Sequence, residues 1–531
     1  MDKKQYQEAI DLFEGYIYDK EVAELETDSL FYGIYKNFML PSKNDLCFSS
    51  AFIVILAQLS RPLNFFKFHI DLWQESNQPK VPMNIYAVNI LRSGGGKGLS
   101  NSIAVNLLNL EQVKRDYVER MCKNLMYDLN ANERKDFERS LKSIISNVAA
   151  EEQSSSSTAG MRVMEDNLKN NFNAIGLTEN RWVGSAFYNL QELADSLENA
   201  NAYDKDFLST LKEMYDLGKF SAKALKSGVM GTIKNFYISF LGATTDKTLL
   251  ENPRTARLLF NFFVSGHARR SLVCMPCEQE LSLVKNYQSK TDGLSLRDLV
   301  KAKKYIETPE VKNIKSCIEY YMENFANRAK RGDTAIKMTD EAYFYYVAYK
   351  LLCAERAKNV KNTILALESE NRFWKALKIS GLLALYSDKN EIDEVCFCKA
   401  VRIVEYYAHH LKRFLNNKVY DVNDKIVELL LSRNTDEGVF GITLEELRTN
   451  PEILAFNEKK IAAGQFVKNC FESVEEILDK NGYKLISDKK GFNNKITVYA
   501  AVPNDWVNPC IEDNKPYKVF DNVPKGYRKE I

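Results

Sequence analysis

The chain has 531 residues, of which 45% are hydrophobic and 27% charged, with a formal net charge of +2. That length allows about three or four domains, and the near-zero charge excludes wholesale coating of nucleic acid, confining any such contact to local basic loops. No apolar run approaches the roughly 20 residues needed to cross a bilayer, and Met1-Asp2-Lys3-Lys4 leads into a polar helix rather than a signal peptide, so the cytosol is the expected compartment.

Residues 1–78 read as a helical N-terminal cap, with apolar positions at helical spacing in Tyr6, Ile10, Leu12 and Phe13 and again over residues 51–56. The polar stretch 75–78, with Pro79 and Pro82, marks the boundary to a core over residues 79–280. There the apolar run 85–91 enters Ser93-Gly94-Gly95-Gly96-Lys97-Gly98 and leaves through Leu99 and the residues to 110, which reads as strand, glycine-rich loop and helix. Consecutive glycines let several backbone N–H groups turn inward, and the following helix adds its positive end. Lys97 then reaches toward the terminal phosphates of a nucleoside triphosphate such as ATP. The full pattern asks for glycine where this chain has Leu91, and for Ser or Thr where it has Gly98. Ser100 or Ser102 on the next turn, or water alone, would have to serve Mg²⁺ instead. The plainer reading is a Gly-rich turn with an incidental lysine.

Residues 151–157, with four consecutive serines, read as an exposed and mobile loop. Apolar runs at 182–190, 236–241 and 271–275 complete a sheet. Ligand-contacting groups collect at the carboxyl ends of strands in α/β sheets. Glu192 and Thr244 therefore fall where they face a bound triphosphate, Glu192 to polarise the attacking water and Thr244 to sense the γ-phosphate. Ahead of the 236–241 run, Lys219, Lys223, Lys226 and Lys234 lie in or just after a glycine-bounded segment with Phe220. Such lysines can follow a single strand's phosphates, with the ring stacking on bases; a solvated amphipathic hairpin is the equal alternative.

Residues 281–417 read as a helical domain whose aromatic stripe is core, with a basic cluster at 327–332. Residues 418–531 change character. Helices at 424–432 and 466–480 flank a capping-box signature at Thr443-Leu444-Glu445-Glu446, and β-prone runs at 483–486 and 496–500 follow. Three helices and a basic-tipped hairpin read as a winged-helix-like domain. Lys489, Lys490 and Lys495 are placed for a phosphate backbone, while Glu472, Glu475, Glu476 and Asp479 make the third helix a poor groove reader, so protein docking stays open beside DNA binding.

Ten cysteines within apolar segments suit buried thiols in a reducing compartment. Cys274 and Cys277 with Cys396 and Cys398 offer four thiolates, but at an atypical spacing for zinc.

The order of these pieces, namely the phosphate loop, Ser157-Thr158-Ala159-Gly160, the strand ending in Gln191-Glu192-Leu193, the 207–219 segment, the 238–244 strand and Gly266-His267-Ala268-Arg269-Arg270, resembles the helicase domain of phage and prophage primase-helicase proteins. These are hexameric P-loop helicases related to superfamily 3. The resemblance spans residues 80–280, and loosely the helical region beyond. It implies an α/β fold with a P-loop NTPase core, a RecA/AAA-like sheet flanked by helices, acting on single-stranded DNA as a ring-shaped homo-oligomer, a hexamer in that family, in the bacterial host cytoplasm beside a primase or polymerase. It gives Lys97 the phosphates, Glu192 the acidic position at the metal and Thr244 the sensor position. Arg270 or its neighbour Arg269 becomes the arginine that reaches the γ-phosphate in the neighbouring subunit. Gln191 stands where the family has an aspartate that helps hold Mg²⁺, so both departures, Gly98 and Gln191, remove metal ligands. The alternative function is therefore a degenerate nucleotide-binding replication scaffold or loader without turnover.

Overall fold

The structure is a computed structural model that describes residues 3–13, 16, 30–42, 46–92, 94–123, 129–149, 152–153, 170, 173, 185–198, 202–219, 223–225, 228–230, 236–245, 253–276, 308–360, 362–416, 422–435, 438–439, 441–454, 457, 461–490 and 496–505. The chain divides into two units, residues 1–247 with 261–416, and residues 248–260 with 417–531. The boundaries expected at 78/79 and 280/281 fall inside the first unit; the one expected at 417/418 lies at its end.

The strands of the first unit are β1 (His69–Asp71), β2 (Lys80–Pro82), β3 (Tyr86–Ile90), β4 (Glu152–Gln153), β5 (Ser185–Leu190), β6 (Lys223–Leu225), β7 (Gly228–Met230), β8 (Tyr237–Thr244), β9 (Ser271–Cys274), β10 (Ala335–Met338) and β11 (Glu391–Ile392). Five of them form a wholly parallel sheet in the order β4-β5-β8-β3-β9. Every residue of β3, β5, β8 and β9 is buried. Parallel strands covered by helices on both faces need such near-continuous apolar runs, which is why these four were legible. The expected 151–157 loop is different: Glu152 and Gln153 pair with Phe187 and Tyr188 as the edge strand, and residues 154–157 lie outside the described ones.

The helix Phe48–Phe65 does not stand apart as a cap. Ser49, Ser50, Gln58, Ser60, Arg61 and Asn64 are buried along with its apolar residues, because the helix lies against the parallel sheet and its polar groups bond there. Ser239 in the middle of β8 gathers three of these bonds. Its Oγ bonds to Ser60 Oγ at 2.6 Å, and it accepts from Asn64 Nδ2 at 2.8 Å and from the Ile85 backbone N–H at 3.0 Å. One hydroxyl thus ties the helix, β8 and the entry to β3.

The region expected to be purely helical also supplies strands. β10 and β11 join β1 and β2 in a second sheet ordered β11-β10-β1-β2. Around it pack the long helices Pro309–Arg331, Asp340–Lys358, Thr363–Leu385 and Glu394–Asn416, in one continuous apolar core with Phe48–Phe65. β6 and β7 form a separate antiparallel hairpin.

The second unit carries the helix Val422–Ser432, then β12 (Asn434–Thr435), β13 (Gly438–Val439) and β14 (Ile442–Thr443), the helices Leu444–Thr449, Pro451–Leu454 and Ala463–Lys480, and the hairpin of β15 (Tyr483–Lys490) and β16 (Ile496–Pro503). β14, β16 and β15 form an antiparallel sheet with β16 in the centre. The capping box is formed as the sequence predicts: Glu446 N–H donates to Thr443 Oγ1 at 3.1 Å and Thr443 N–H donates to Glu446 Oε2 at 2.7 Å. Ile426, Leu430, Leu447, Val467, Val474 and Leu478 make this unit's own core.

Candidate functional site

β3 lies between β8 and β9, and the connection from β8 to β9 passes over it. The carboxyl end of β3 is therefore a switch point of the sheet, where open α/β sheets form a ligand crevice. The chain leaves β3 through Leu91, whose N–H donates to Thr244 O at 3.2 Å, and turns with Gly95 N–H donating to Arg92 O at 3.0 Å. Gly94 (φ 72°) and Gly96 (φ 89°) take the left-handed conformation, which glycine adopts without the steric cost other residues meet. Ser93 lies outside the described residues.

The helix Lys97–Leu108 starts directly after Gly96. Lys97 Nζ donates to Leu91 O at 3.1 Å and to Thr244 O at 3.0 Å. Its ammonium is thereby held at the carboxyl ends of the two central strands. Leu91, in place of the pattern's first glycine, packs beneath the loop. A β-carbon on Gly95 would stand 2.5 Å from the Leu91 side chain, so the bulk at 91 is accommodated by the glycine at 95. Leu99 is exposed on the helix.

β5 ends beside this loop. Gln191 and Glu192 follow it, both exposed, and Gln191 Nε2 donates to Asn189 Oδ1 at 2.7 Å. A β-carbon on Gly98 would lie 3.7 Å from Gln191 Oε1. Two of the three positions that depart from the expected pattern, 98 and 191, therefore face each other. Ser100 and Ser102 do not fill the gap: their hydroxyls donate back to Gly96 O at 2.9 Å and Gly98 O at 3.0 Å. Thr244 Oγ1 is buried without a hydrogen-bond partner among the described residues.

This set fits a phosphate group and does not fit a protein-ligated Mg²⁺. Left-handed glycines, a helix N-terminus and a lysine are donors for phosphate oxygens. The facing positions 98 and 191 offer a neutral amide and no hydroxyl, and among the described residues Glu192 is the first carboxylate after β5. Among the described residues no group of three or more His, Cys, Asp or Glu side chains is arranged to hold a metal. Cys277 is outside them, and burial pushes the Cys396 and Cys398 thiols up to about 12, away from the thiolate form zinc requires.

Arg269 and Arg270 sit just before β9. Ser271 pairs with Tyr86 at the amino end of β3, so five strand residues, roughly 15 Å, separate the arginines from the glycine loop that follows β3. The two differ. Arg270 is buried; it donates to Asp216 Oδ2 at 2.7 Å and to Gly266 O at 3.1 Å. Arg269 makes no hydrogen bond or ion pair with the described residues; burial and then the charge of Arg270 hold its pKa below the ordinary arginine value. His267 stacks on Phe262 with centroids 4.0 Å apart. Burial, with Lys212 and Arg270 nearby, drives its pKa down to about 3, so it is a neutral core residue.

Sequence reasoning missed what holds this turn. Lys375 Nζ donates to Ser271 O at 3.2 Å and Ala268 O at 3.5 Å, the carbonyls bracketing the arginines, and pairs with Glu368 at 2.6 Å. Glu368 also pairs with Arg372 at 2.6 Å, and Arg372 with Glu405 at 2.8 Å. Burial alone would raise the Glu368 pKa, but Arg372 and Lys375 outweigh it and hold it at about 2. The signal was present as charges at positions 368, 372 and 375, one face of a helix that is otherwise largely apolar toward its end.

Of the proposed DNA contacts, Lys219 is exposed just after Gly218 and Lys223 lies in β6. Lys226 lies outside the described residues, and Lys489 and Lys490 belong to β15 with side chains outside the description. Glu472, Glu475, Glu476 and Asp479 are exposed. Among the described residues no helix is long and apolar enough to cross a membrane. No protein-family model matches the chain, and no curated protein matches it.

Proposed function

We propose that the chain is an ATP-dependent DNA helicase or translocase of a phage or prophage replication module, working as a ring of identical subunits in the bacterial cytoplasm beside a primase or polymerase. The observation that carries this reading is Lys97, fixed by Leu91 O and Thr244 O beneath two left-handed glycines at the sheet's switch point. In a P-loop core of this kind the lysine and loop amides hold the phosphates, and Thr244 Oγ1 is a buried donor next to them. Glu192 orients water. The arginines lie too far from their own loop to serve it, which favours donation to a neighbouring subunit, and Arg269 is the one whose guanidinium makes no hydrogen bond with the described residues. The β6–β7 hairpin, entered at Lys219 and containing Lys223, is the element assigned to single-stranded DNA. The helices and the sheet of β14, β16 and β15 in the second unit support reading it as a winged-helix-like domain, whose acidic third helix favours docking to protein over reading a groove.

The facing pair Gly98 and Gln191 favours a second reading, nucleotide binding without efficient turnover, in a replication scaffold or loader. Steady-state ATP hydrolysis with Mg²⁺, with and without single-stranded DNA, separates the two. DNA-stimulated hydrolysis abolished by Lys97→Ala supports the motor; nucleotide binding with no hydrolysis supports the scaffold.

A further inference from the structure

At the edge of the first unit opposite the phosphate loop, a cavity of about 310 Å³ opens between the arginine turn, the end of the helix Ala202–Leu217 and the helix Thr363–Leu385, with Tyr215, Asp216, Arg269, Arg270, Asn371 and Trp374 among its walls. Its volume is at the lower end for small-molecule pockets. Several of its groups keep hydrogen-bonding capacity that the described residues do not use. The Arg269 guanidinium and the Trp374 indole N–H have no partner there. Asn371 donates to Leu367 O at 2.9 Å, leaving Oδ1 as an acceptor. Arg270, itself almost wholly buried, keeps an Nε with no hydrogen-bond partner.

The neighbouring charges are already matched. Asp216 pairs with Arg270 at 2.7 Å. Glu75 lies 3.5 Å from Lys350 and accepts from Tyr346 Oη at 3.4 Å. Lys378 spends its protons on Pro82 O, Asn84 Oδ1 and Tyr215 O at 2.6–2.8 Å. What remains is a cation, an indole and an amide oxygen around an empty volume. Burial and then the charge of Arg270 lower the pKa values of both Arg269 and Lys212, and Arg269 adds to the effect on Lys212, while Asp216 and Glu370 act the other way on Arg269.

We propose that this cavity is a second ligand site, separate from the phosphate loop, for a small phosphate ester carrying a planar ring. The Arg269 guanidinium takes the phosphate, Trp374 stacks on the ring and Asn371 Oδ1 accepts from a ring donor. Binding does not depend on the helicase reading. Its consequence does: a ligand here occupies the guanidinium that a ring offers to its neighbour, so it slows ATP turnover.

The test titrates adenosine monophosphate and inorganic phosphate calorimetrically into full-length Lys97→Ala protein, whose phosphate loop is disabled. The site predicts stoichiometric binding of the monophosphate, weakened about tenfold or more by Arg269→Ala and by Trp374→Leu. It also predicts phosphate binding that responds to Arg269→Ala alone, and Arg269→Lys keeping more affinity than Arg269→Ala. Absence of binding, loss of wild-type binding on Lys97→Ala, or undiminished binding in the Lys97→Ala/Arg269→Ala double variant each overturns the proposal. So does restoration of ATP turnover on mixing Lys97→Ala with Arg269→Ala chains when neither binds the monophosphate, since the phosphate then comes only from a second copy. Monophosphate binding with no effect on wild-type ATP hydrolysis keeps the site and rejects only the ring consequence.

Discussion

Gln191 lies over Gly98, its Oε1 3.7 Å from where a β-carbon of residue 98 would stand. A hydroxyl at 98 and a carboxylate at 191 would be neighbours, so these two departures from the expected pattern form a contacting pair rather than two unrelated sites.

Restoring that pair is feasible. A side chain at 98 meets only ordinary van der Waals contact. Gly98→Ser with Gln191→Asp is expected to raise Mg²⁺-dependent ATP hydrolysis by about tenfold or more, a barrier change of only about 1.4 kcal/mol. Either single substitution gives less. An unchanged rate in the double variant means that these positions do not limit turnover.

The arginines should separate stability from activity. Arg270→Ala removes hydrogen bonds to Asp216 and Gly266 and is expected to cost about 2 kcal/mol of stability, read as a lower denaturation midpoint. Arg269→Ala leaves the midpoint in place and lowers turnover of the assembled protein by about 10³. Equal losses of stability from the two variants would contradict this division.

Leu91 and Gly95 should behave as a unit. Gly95→Ala brings a methyl group within 2.5 Å of the Leu91 side chain. It is expected to distort the loop and weaken ATP binding, while Leu91→Ala in the same chain restores much of the loss. A double variant no better than Gly95→Ala shows that the clash is not the cause. Nucleotide binding by the three proteins measures this coupling.

Lys378 gives the fold a pH dependence. Burial, reinforced by Arg270 and opposed by Asp216, pulls its pKa from an ordinary 10.5 down to about 7. Between those values the unfolded chain binds the proton more tightly than the folded one, so this group adds stability as pH rises from about 7 and its contribution is lost as pH falls back. The difference in unfolding free energy between wild type and Lys378→Met should change over this window, at most by roughly 1.4 kcal/mol per pH unit. Lys378→Met also strands three acceptors and is destabilising by a few kcal/mol. Parallel pH profiles for the two proteins would contradict the shift.

What the sequence revealed, and what it hid, follows from the range of the interactions. β3, the glycine loop, β5, β8 and β9 were legible because buried parallel strands are written as local apolar runs ended by polar residues. β4 was hidden because two polar residues at a sheet edge carry no such run, and only their pairing with Phe187 and Tyr188 makes them a strand. The Phe48–Phe65 helix was read as part of a cap because the bonds that seat it on the sheet are long-range: Ser60 and Asn64 meet Ser239, some 175 positions away in sequence. The facing of Gly98 and Gln191 was invisible for the same reason, although each departure could be read singly.

The most direct test of the central claim is equilibrium ATP binding to wild-type and Lys97→Ala protein. If the glycine loop and Lys97 form the phosphate site, wild type binds and the variant, still folded, loses most of its affinity. Equal binding by the two proteins, or none by a folded wild type, would contradict the account.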